Sequence, residues 1–428
     1  MKKIIVVVLA IFLLRGLITA EPLVPEPQEE FQDYRLVYAN LHTHTRFSDA
    51  KSDLPGVVAT KIDRDLAAPD QVINANLKRF DGMALTDHAE HLSDWEWAQQ
   101  AQFTREYSTD GKVLLRGFEL TGTPEPENLL QKLPQYNPGW GHILVFDTER
   151  RVAARQEGDG NSPILPNESN FISPLTWMAN EPGAVGIFAH PELYMTERGG
   201  IEQTFNGFKA CPDDLPGARE KMVACELSSH GPEYTGLGDG KELRSSNEAC
   251  YRELLRNKWR VGAVMSGDEH FPPYGNAETV AGLFVKDRTE SGILEALRAR
   301  RVFGTELPGA VIYLIVSAPK RGITWTMGQT IPLTADFEPD ESFIVNAVAL
   351  PPKGKVESIS IVVVAPRLES DRIYTSPPLN GEADNLGDIP TVGEIRTQGV
   401  CCVYAKATFR LALGLRKDII SSPIWFEY

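Results

Sequence analysis

Residues 39–50 read ANLHTHTRFSDA. His42 and His44 follow the apolar run Leu36-Val37-Tyr38-Ala39, and Ser48-Asp49 comes shortly after. On a strand, residues i and i+2 point to one face, so the two imidazoles can grip a single ion together. Asp49, past a short turn, can reach a neighbouring ion. Histidine is scarce: the chain of 428 residues holds 8. All precede the C-terminal third, as His42, His44, His88, His91, His142, His190, His230 and His270.

Most of them end an apolar, strand-like run. Asp87-His88 ends GMALT, His190 ends AVGIFA, and Asp268 and His270 end VGAVMSG. Glu119 follows KVLLRGF, whereas His142 stands at the start of its run, HILVFD. In parallel α/β barrels the C-terminal strand ends form one face, so residues remote in sequence converge there. One strand-end histidine is ordinarily a capping or solvent-facing residue; a set of them with acidic neighbours points to a shared metal site. Imidazoles with carboxylates and no thiolates suit Zn²⁺, Mn²⁺ or Fe²⁺. The candidate ligands are His42, His44, Asp49, His88, Glu119, His142, His190, Asp268 and His270. They are too many for one tetrahedral ion, so two or three divalent ions bridged by Glu119 and a hydroxide are expected.

The elements that must position these residues alternate. Strands are expected at 36–41, 82–86, 113–118, 142–147, 184–189, 222–227 and 261–266, and helices at 92–108, 241–257 and 289–300. Ser93 and Ser173 are suitable helix caps. Strands taking turns with helices predict a parallel α/β sheet or barrel. Past Arg300 the texture becomes VIYLIVSA, SFIVNAVAL, VESISIVVVA and VYAKATFRLAL, separated by Pro and Gly. Those runs predict a β-sandwich.

The N-terminus opens with MKK, an apolar IIVVVLAIFLL and Ile18-Thr19-Ala20, the pattern of a cleaved signal peptide. The expected organisation is therefore a signal peptide over 1–20, a Pro- and Glu-rich linker over 21–34, a barrel over 35–306 and a β-sandwich domain over 307–428. Export to the periplasm or beyond follows, with no stable membrane insertion after cleavage. The formal net charge is −15, and loss of Lys2, Lys3 and Arg15 makes it more negative. That balance argues against nonspecific nucleic-acid binding, which needs Lys and Arg on phosphates. The cysteines are Cys211, Cys225, Cys250, Cys401 and Cys402. They form no regular framework; one bridge among the first three is compatible with export, and the adjacent pair reads as strand residues facing opposite ways.

The segments HTHTRFSD, LTDH, FE, GH, AHPE and SGDEH resemble, in matching order, the metal motifs of the PHP (polymerase and histidinol phosphatase) superfamily. The resemblance implies a distorted (β/α)₇ barrel. By it His42, His44, Glu119 and Asp268 would hold a first metal, Glu119 with His142 and His190 a second, and Asp49, His88 and His270 a third. LTDHAEHL, ELSSHGPE and ILEALRARRVFGT resemble the exported, two-domain, carbaryl hydrolase-like branch. Against the superfamily pattern, Ala50 stands where glycine is usual, and a long insertion separates Glu119 from His142.

Around the ligands, His230 and Glu233 suit proton transfer or substrate orientation, and Arg46 could pair with an anionic oxygen. His91 reads as a neighbour of the site or a surface residue, and Trp140 as a core residue that could instead wall a substrate pocket. No GxSxG, HExxH, Rossmann or Walker motif is present. The expected function is an exported metal-dependent hydrolase of a small-molecule substrate, in which a metal-bridging hydroxide attacks a phosphate ester. A carbamate, ester or amide is the rival substrate, and a noncatalytic metal-dependent binding protein with a glycan- or partner-binding β-domain is the rival class.

Overall fold

The computed structural model describes residues 29–48, 68–120, 141–154, 156, 159–165, 172–191, 193–194, 201–202, 215–228, 248–270, 272–376, 382–383 and 390–428. The expected signal peptide, Asp49, Trp140, Cys211, His230 and Glu233 lie outside them.

The first part runs β1 (Arg35–Asn40), α1 (Pro69–Arg79), β2 (Gly82–Leu85), α2 (Asp94–Tyr107), β3 (Val113–Leu120), β4 (His142–Phe146), α3 (Ile172–Asn180) and β5 (Val185–Ala189). The short β6 (Leu193–Tyr194) and β7 (Ile201–Glu202) come next, then α4 (Pro216–Lys221), β8 (Met222–Glu226), α5 (Glu248–Arg256), β9 (Gly262–Val264), β10 (Val280–Val285), α6 (Glu290–Arg298) and β11 (Val302–Thr305). Strands β2, β5, β8 and β9 are buried along their whole length, as sheet strands covered on both faces must be. Ser93 caps α2 in a reciprocal pair with Glu96. Ser173, in contrast, falls inside the first turn of α3, because the helix begins one residue before it.

The sheet order is β11-β10-β1-β2-β3-β4-β5-β8-β9. Neighbours β1–β2, β2–β3, β5–β8 and β8–β9 are parallel. Strand β4 runs antiparallel to β3 and β5, and β10 antiparallel to β1 and β11. The sheet is thus mixed, with seven of its nine strands running one way and only β4 and β10 against them, and it curls until β9 lies against β11. Two glycines permit that approach: a Cβ on Gly304 would stand 2.9 Å from the Val264 carbonyl carbon, and one on Gly262 2.9 Å from the Val302 side chain. In place of a ladder, Ser422 bridges the seam. Its hydroxyl accepts from the Ala263 N–H at 3.1 Å and donates to the Val302 carbonyl at 2.6 Å.

The second part comprises β12 (Val311–Ala318), β13 (Ile323–Thr326), β14 (Thr330–Pro332), β15 (Ile344–Leu350), β16 (Lys355–Val364), β17 (Arg372–Ser376), β18 (Glu382–Ala383), α7 (Val392–Gln398), β19 (Cys402–Arg410), β20 (Arg416–Ser421) and β21 (Ile424–Glu427). One sheet, β13-β12-β15-β18, faces a second built on β16, β19, β20 and β21, with Leu314, Val316, Ile361 and Val403 in the core between them. Strand β20 pairs directly with β11, so the second sheet continues that of the first part without a break. The end of the expected linker also differs from a solvated lead-in. Glu29–Phe31 forms a single 3₁₀ turn that buries Phe31 against Phe284 and Tyr313, with ring centroids 4.6 and 5.0 Å away.

Cys401 and Cys402 do not face opposite ways. β19 begins only at Cys402, and the two Sγ atoms lie 3.8 Å apart. Among the described residues no helix is long and apolar enough to cross a membrane.

Candidate metal centre

The strand directions decide what meets at one end of the sheet. The chain leaves the C-terminal end of β1 still extended: Thr43 forms a bridge to Glu269, and the Thr86 N–H donates to the Thr43 carbonyl. His42 and His44 are thereby kept on one face. His88 follows β2 and bridges in register to Glu119 on β3. His190 follows β5, while Asp268 and His270 follow β9. Because β4 is antiparallel, its first residue, His142, lies at the same end. That is why this histidine stands at the start of its run.

Three groups of ligand atoms result, each within 4.8 Å of its own members: His42, His44, Glu119 and Asp268; Glu119, His142 and His190; and His44, His88 and His270. In the first group the His42 and His44 Nε2 atoms are 3.1 Å apart, and both are 3.2 Å from Glu119 Oε2 and from Asp268 Oδ1. Atoms held about 2.0–2.1 Å from a common ion stand about 3.0 Å apart in octahedral and about 3.4 Å apart in tetrahedral surroundings. The observed separations fall within that interval. Asp268 Oδ1 is buried, and three imidazole nitrogens face it, those of His42 and His44 at 3.2 Å and that of His270 at 3.4 Å, none in good hydrogen-bond geometry. A buried oxygen left so is costly unless a cation satisfies it. The donor set therefore fits a divalent ion.

Glu119 divides its carboxylate. Oε2 faces His42, His44 and, at 3.1 Å, His88 Nδ1, whereas Oε1 lies 2.7 Å from His142 Nδ1 and 3.1 Å from His190 Nε2. One side chain thus joins two groups. His44 belongs to both the first and the third, its ring stacked 4.0 Å from that of His270. Asp49, the remaining expected ligand of the third group, lies outside the described residues.

Charges in this cluster are strongly coupled. Burial opposes the charged form of Glu119 and Asp268, but the surrounding histidines outweigh it and hold both carboxyls well below their usual range. Burial likewise opposes a charge on His42, yet Asp268, Glu226 and Glu119 hold its pKa well above the ordinary value. His190, buried but hydrogen-bonded to Glu119, is raised to about 9. Burial keeps His142 below its ordinary value despite the pull of Glu119. The cluster calls for positive charge, and protons on imidazoles compete with cations for the place.

Residues that the sequence reading did not assign hold the ligands in position. Glu226, fully buried at the end of β8, faces His42 Nδ1 with both oxygens at 3.2 Å. It also accepts from the His190 N–H at 2.9 Å and from the Ser266 hydroxyl. Donation from Nδ1 leaves the His42 Nε2 lone pair for the ion. Asp87 accepts from the Ser48 hydroxyl at 2.9 Å, and Ser48 Oγ lies 3.2 Å from His44 Nδ1. His190 and Asp268 have φ of 25° and 47°, a left-handed backbone that costs a residue with a side chain and recurs at functional sites. Glu226 had a signal, a carboxylate ending the apolar run MVACEL as the other strand ends do.

Exposure is graded. The His42 and His44 side chains are sealed, whereas that of His88 is 11 % exposed and that of His142 21 %, so the centre opens on their side. Arg46 is exposed on the turn after His44. His91 lies beside the cluster, its ring 6.3 Å from that of His88.

No protein-family model matches the chain. No curated protein matches it either. Among solved structures it is similar to the crystal structure, at 2.20 Å, of a two-domain protein containing a predicted PHP-like metal-dependent phosphoesterase from Bacteroides vulgatus. That likeness has 14 % identity and a TM-score of 0.38, over 93 % of this chain and 98 % of the other. At that distance the chemistry is read from the side chains alone.

Proposed function

We propose that the chain is an exported metal-dependent hydrolase of small phosphate esters, of the PHP type that its motifs resemble. The observation that carries this reading is the Glu119 carboxylate, whose two oxygens are divided between two groups of imidazole nitrogens. His42, His44, Glu119 and Asp268 would hold one ion, and Glu119, His142 and His190 another. His88 and His270, with Asp49 or His44, would hold a third. Divalent ions there supply Lewis acidity toward a phosphoryl or carbonyl oxygen and lower the pKa of bound water.

The protein's own part is positioning. Glu226 fixes the ring of His42 and the backbone of His190, and the Asp87–Ser48 pair steadies His44. The preference for a phosphate over a neutral carbamate rests on the motifs' resemblance to the superfamily. Substrate would enter past His142 and His88, and Arg46, exposed on the turn after His44, is proposed to meet its charge. His230 and Glu233 are proposed for proton transfer or orientation on their sequence positions alone.

Assays of p-nitrophenyl phosphates beside naphthyl esters and carbamates, each with Mn²⁺ and Zn²⁺, test the reading. Turnover of phosphates is expected. Turnover of the carbon esters alone overturns the phosphate assignment. Failure on every ester, together with binding to cell-wall glycans, replaces the enzyme by a binding protein.

A further inference from the structure

At the end of the second part farthest along β19, the β19–β20 hairpin turns through Leu411, Ala412, Leu413, Gly414 and Leu415. The Leu411 N–H donates to the Leu415 carbonyl at 2.8 Å, which closes the turn tightly. Leu413 is fully exposed and Leu415 is 55 % exposed. Leu413 also has φ 61°, a left-handed conformation that disfavours any residue with a Cβ. The fold gains nothing visible from placing leucine there: a glycine or asparagine would turn the chain with less strain and no exposed apolar surface.

The charges beneath the tip are just as unusual. Lys355 on β16 pairs with Arg410 on β19, and Arg410 pairs with Arg416 on β20. Directly paired residues project to one face, so three exposed cations form a row across three strands. Like charges directly opposite each other destabilise a sheet. Glu357 offsets part of this, accepting from Arg416 Nε at 2.9 Å and from its Nη2 at 2.5 Å. A fourth exposed cation, Lys353, joins from the β15–β16 loop. That loop packs against the same place: a Cβ on Gly354 would meet the Arg410 carbonyl oxygen at 2.6 Å. A protein with net charge −15 therefore carries, at one tip, two exposed leucines ringed by Lys353, Lys355, Arg410 and Arg416.

The geometry points to a docking site for an anionic phospholipid surface, in which Leu413 and Leu415 enter the interface and the four cations meet the head groups. Apolar side chains presented above a basic girdle match a bilayer boundary, apolar inside and anionic at its surface. The acidic remainder of the protein is repelled by the same surface, so attachment is restricted to this end and reversible. This inference is independent of the metal centre.

The test is sedimentation of the purified chain with vesicles of phosphatidylcholine alone or mixed with phosphatidylglycerol. Binding to the mixed vesicles is expected, at least tenfold tighter than to phosphatidylcholine and weakening as salt rises. Leu413→Ser with Leu415→Ser should lower it at least tenfold, and Lys355→Glu with Arg410→Glu should abolish it. All four positions are exposed, so unchanged thermal melting separates loss of docking from loss of fold. A Leu413→Trp variant should shift its fluorescence to the blue only with the mixed vesicles. Equal binding to both vesicle types, no binding to either, or no effect of the leucine changes would overturn the proposal. Concentration-dependent dimerisation that the leucine changes abolish would overturn it too, and would assign the tip to a second copy of the chain.

Discussion

Replacing Glu226 by glutamine tests how the centre is held without removing a ligand. In the native protein Oε1 serves His42 Nδ1 and the Ser266 hydroxyl, and Oε2 serves His42 Nδ1 and the His190 N–H. With the amide nitrogen placed where Oε1 was, Ser266 can rotate to accept from it, and the remaining oxygen still receives His42 and His190. What is lost is the negative charge facing the His42 Nδ1–H, which makes the opposite nitrogen a stronger ligand. Partners of metal-bound histidine of this kind are worth about 10–100-fold in metal affinity. Glutamine should fall near the lower bound, about tenfold or ~1.4 kcal/mol. Alanine leaves three donors without an acceptor and should reach the upper bound, with about 1–3 kcal/mol of stability lost for each buried donor. Competition against a chromophoric chelator with Zn²⁺ or Mn²⁺ measures the affinity, and thermal melting of the metal-free protein measures stability. A glutamine variant that binds metal as tightly as the native chain would refute the role assigned to Glu226.

His44→Ala should remove more metal than His142→Ala, because His44 belongs to two of the ligand groups and His142 to one; elemental analysis of the purified variants gives the stoichiometry. Retained metal in Asp268→Ala would contradict the first group. Glu248 receives the Lys406 ammonium at 2.9 Å and the Tyr404 hydroxyl at 2.7 Å. Burial opposes its charge, but Lys406 and Tyr404 hold its pKa below the ordinary value. Its stabilisation is therefore present above the unfolded-state pKa and is lost as pH falls through the lower folded value. Glu248→Gln should cost about 1–3 kcal/mol at pH 7 in urea titrations, and the difference from the native chain should narrow toward pH 3. Ser422→Ala should cost about 1–2 kcal/mol, since it unpairs the Ala263 N–H, and both parts of the chain should still unfold in one urea transition.

Much of this centre was legible in the sequence because strand ends are marked there. Each of the seven expected strands of the first part is present, and the candidate ligands among the described residues come together at one end of them. Strand direction is not written in an apolar run, so the position of His142 became intelligible only when β4 proved antiparallel. Strand β10 escaped notice for a related reason: VAGLFV reads as a sheet strand but gives no sign that it runs against β1. Glu226 was visible as a residue and silent as a partner, since its contacts are with His42, His190 and Ser266, all remote in the chain. The pairing of β11 with β20 was equally hidden, because more than a hundred residues separate strands whose only local signal is alternation.

That pairing bears on how the chain can be cut. Strand β11 is an interior strand, flanked by β10 on one side and β20 on the other. A first part expressed alone would present β11 as a raw edge, its N–H and C=O groups open to other chains. It would also lose Ser422, the clasp that holds β9, the strand leading to Asp268, against β11. Such a fragment would be prone to polymerise edge to edge while losing its grip on metal. The β-sandwich is in this sense the missing stave of the barrel rather than a passenger on it.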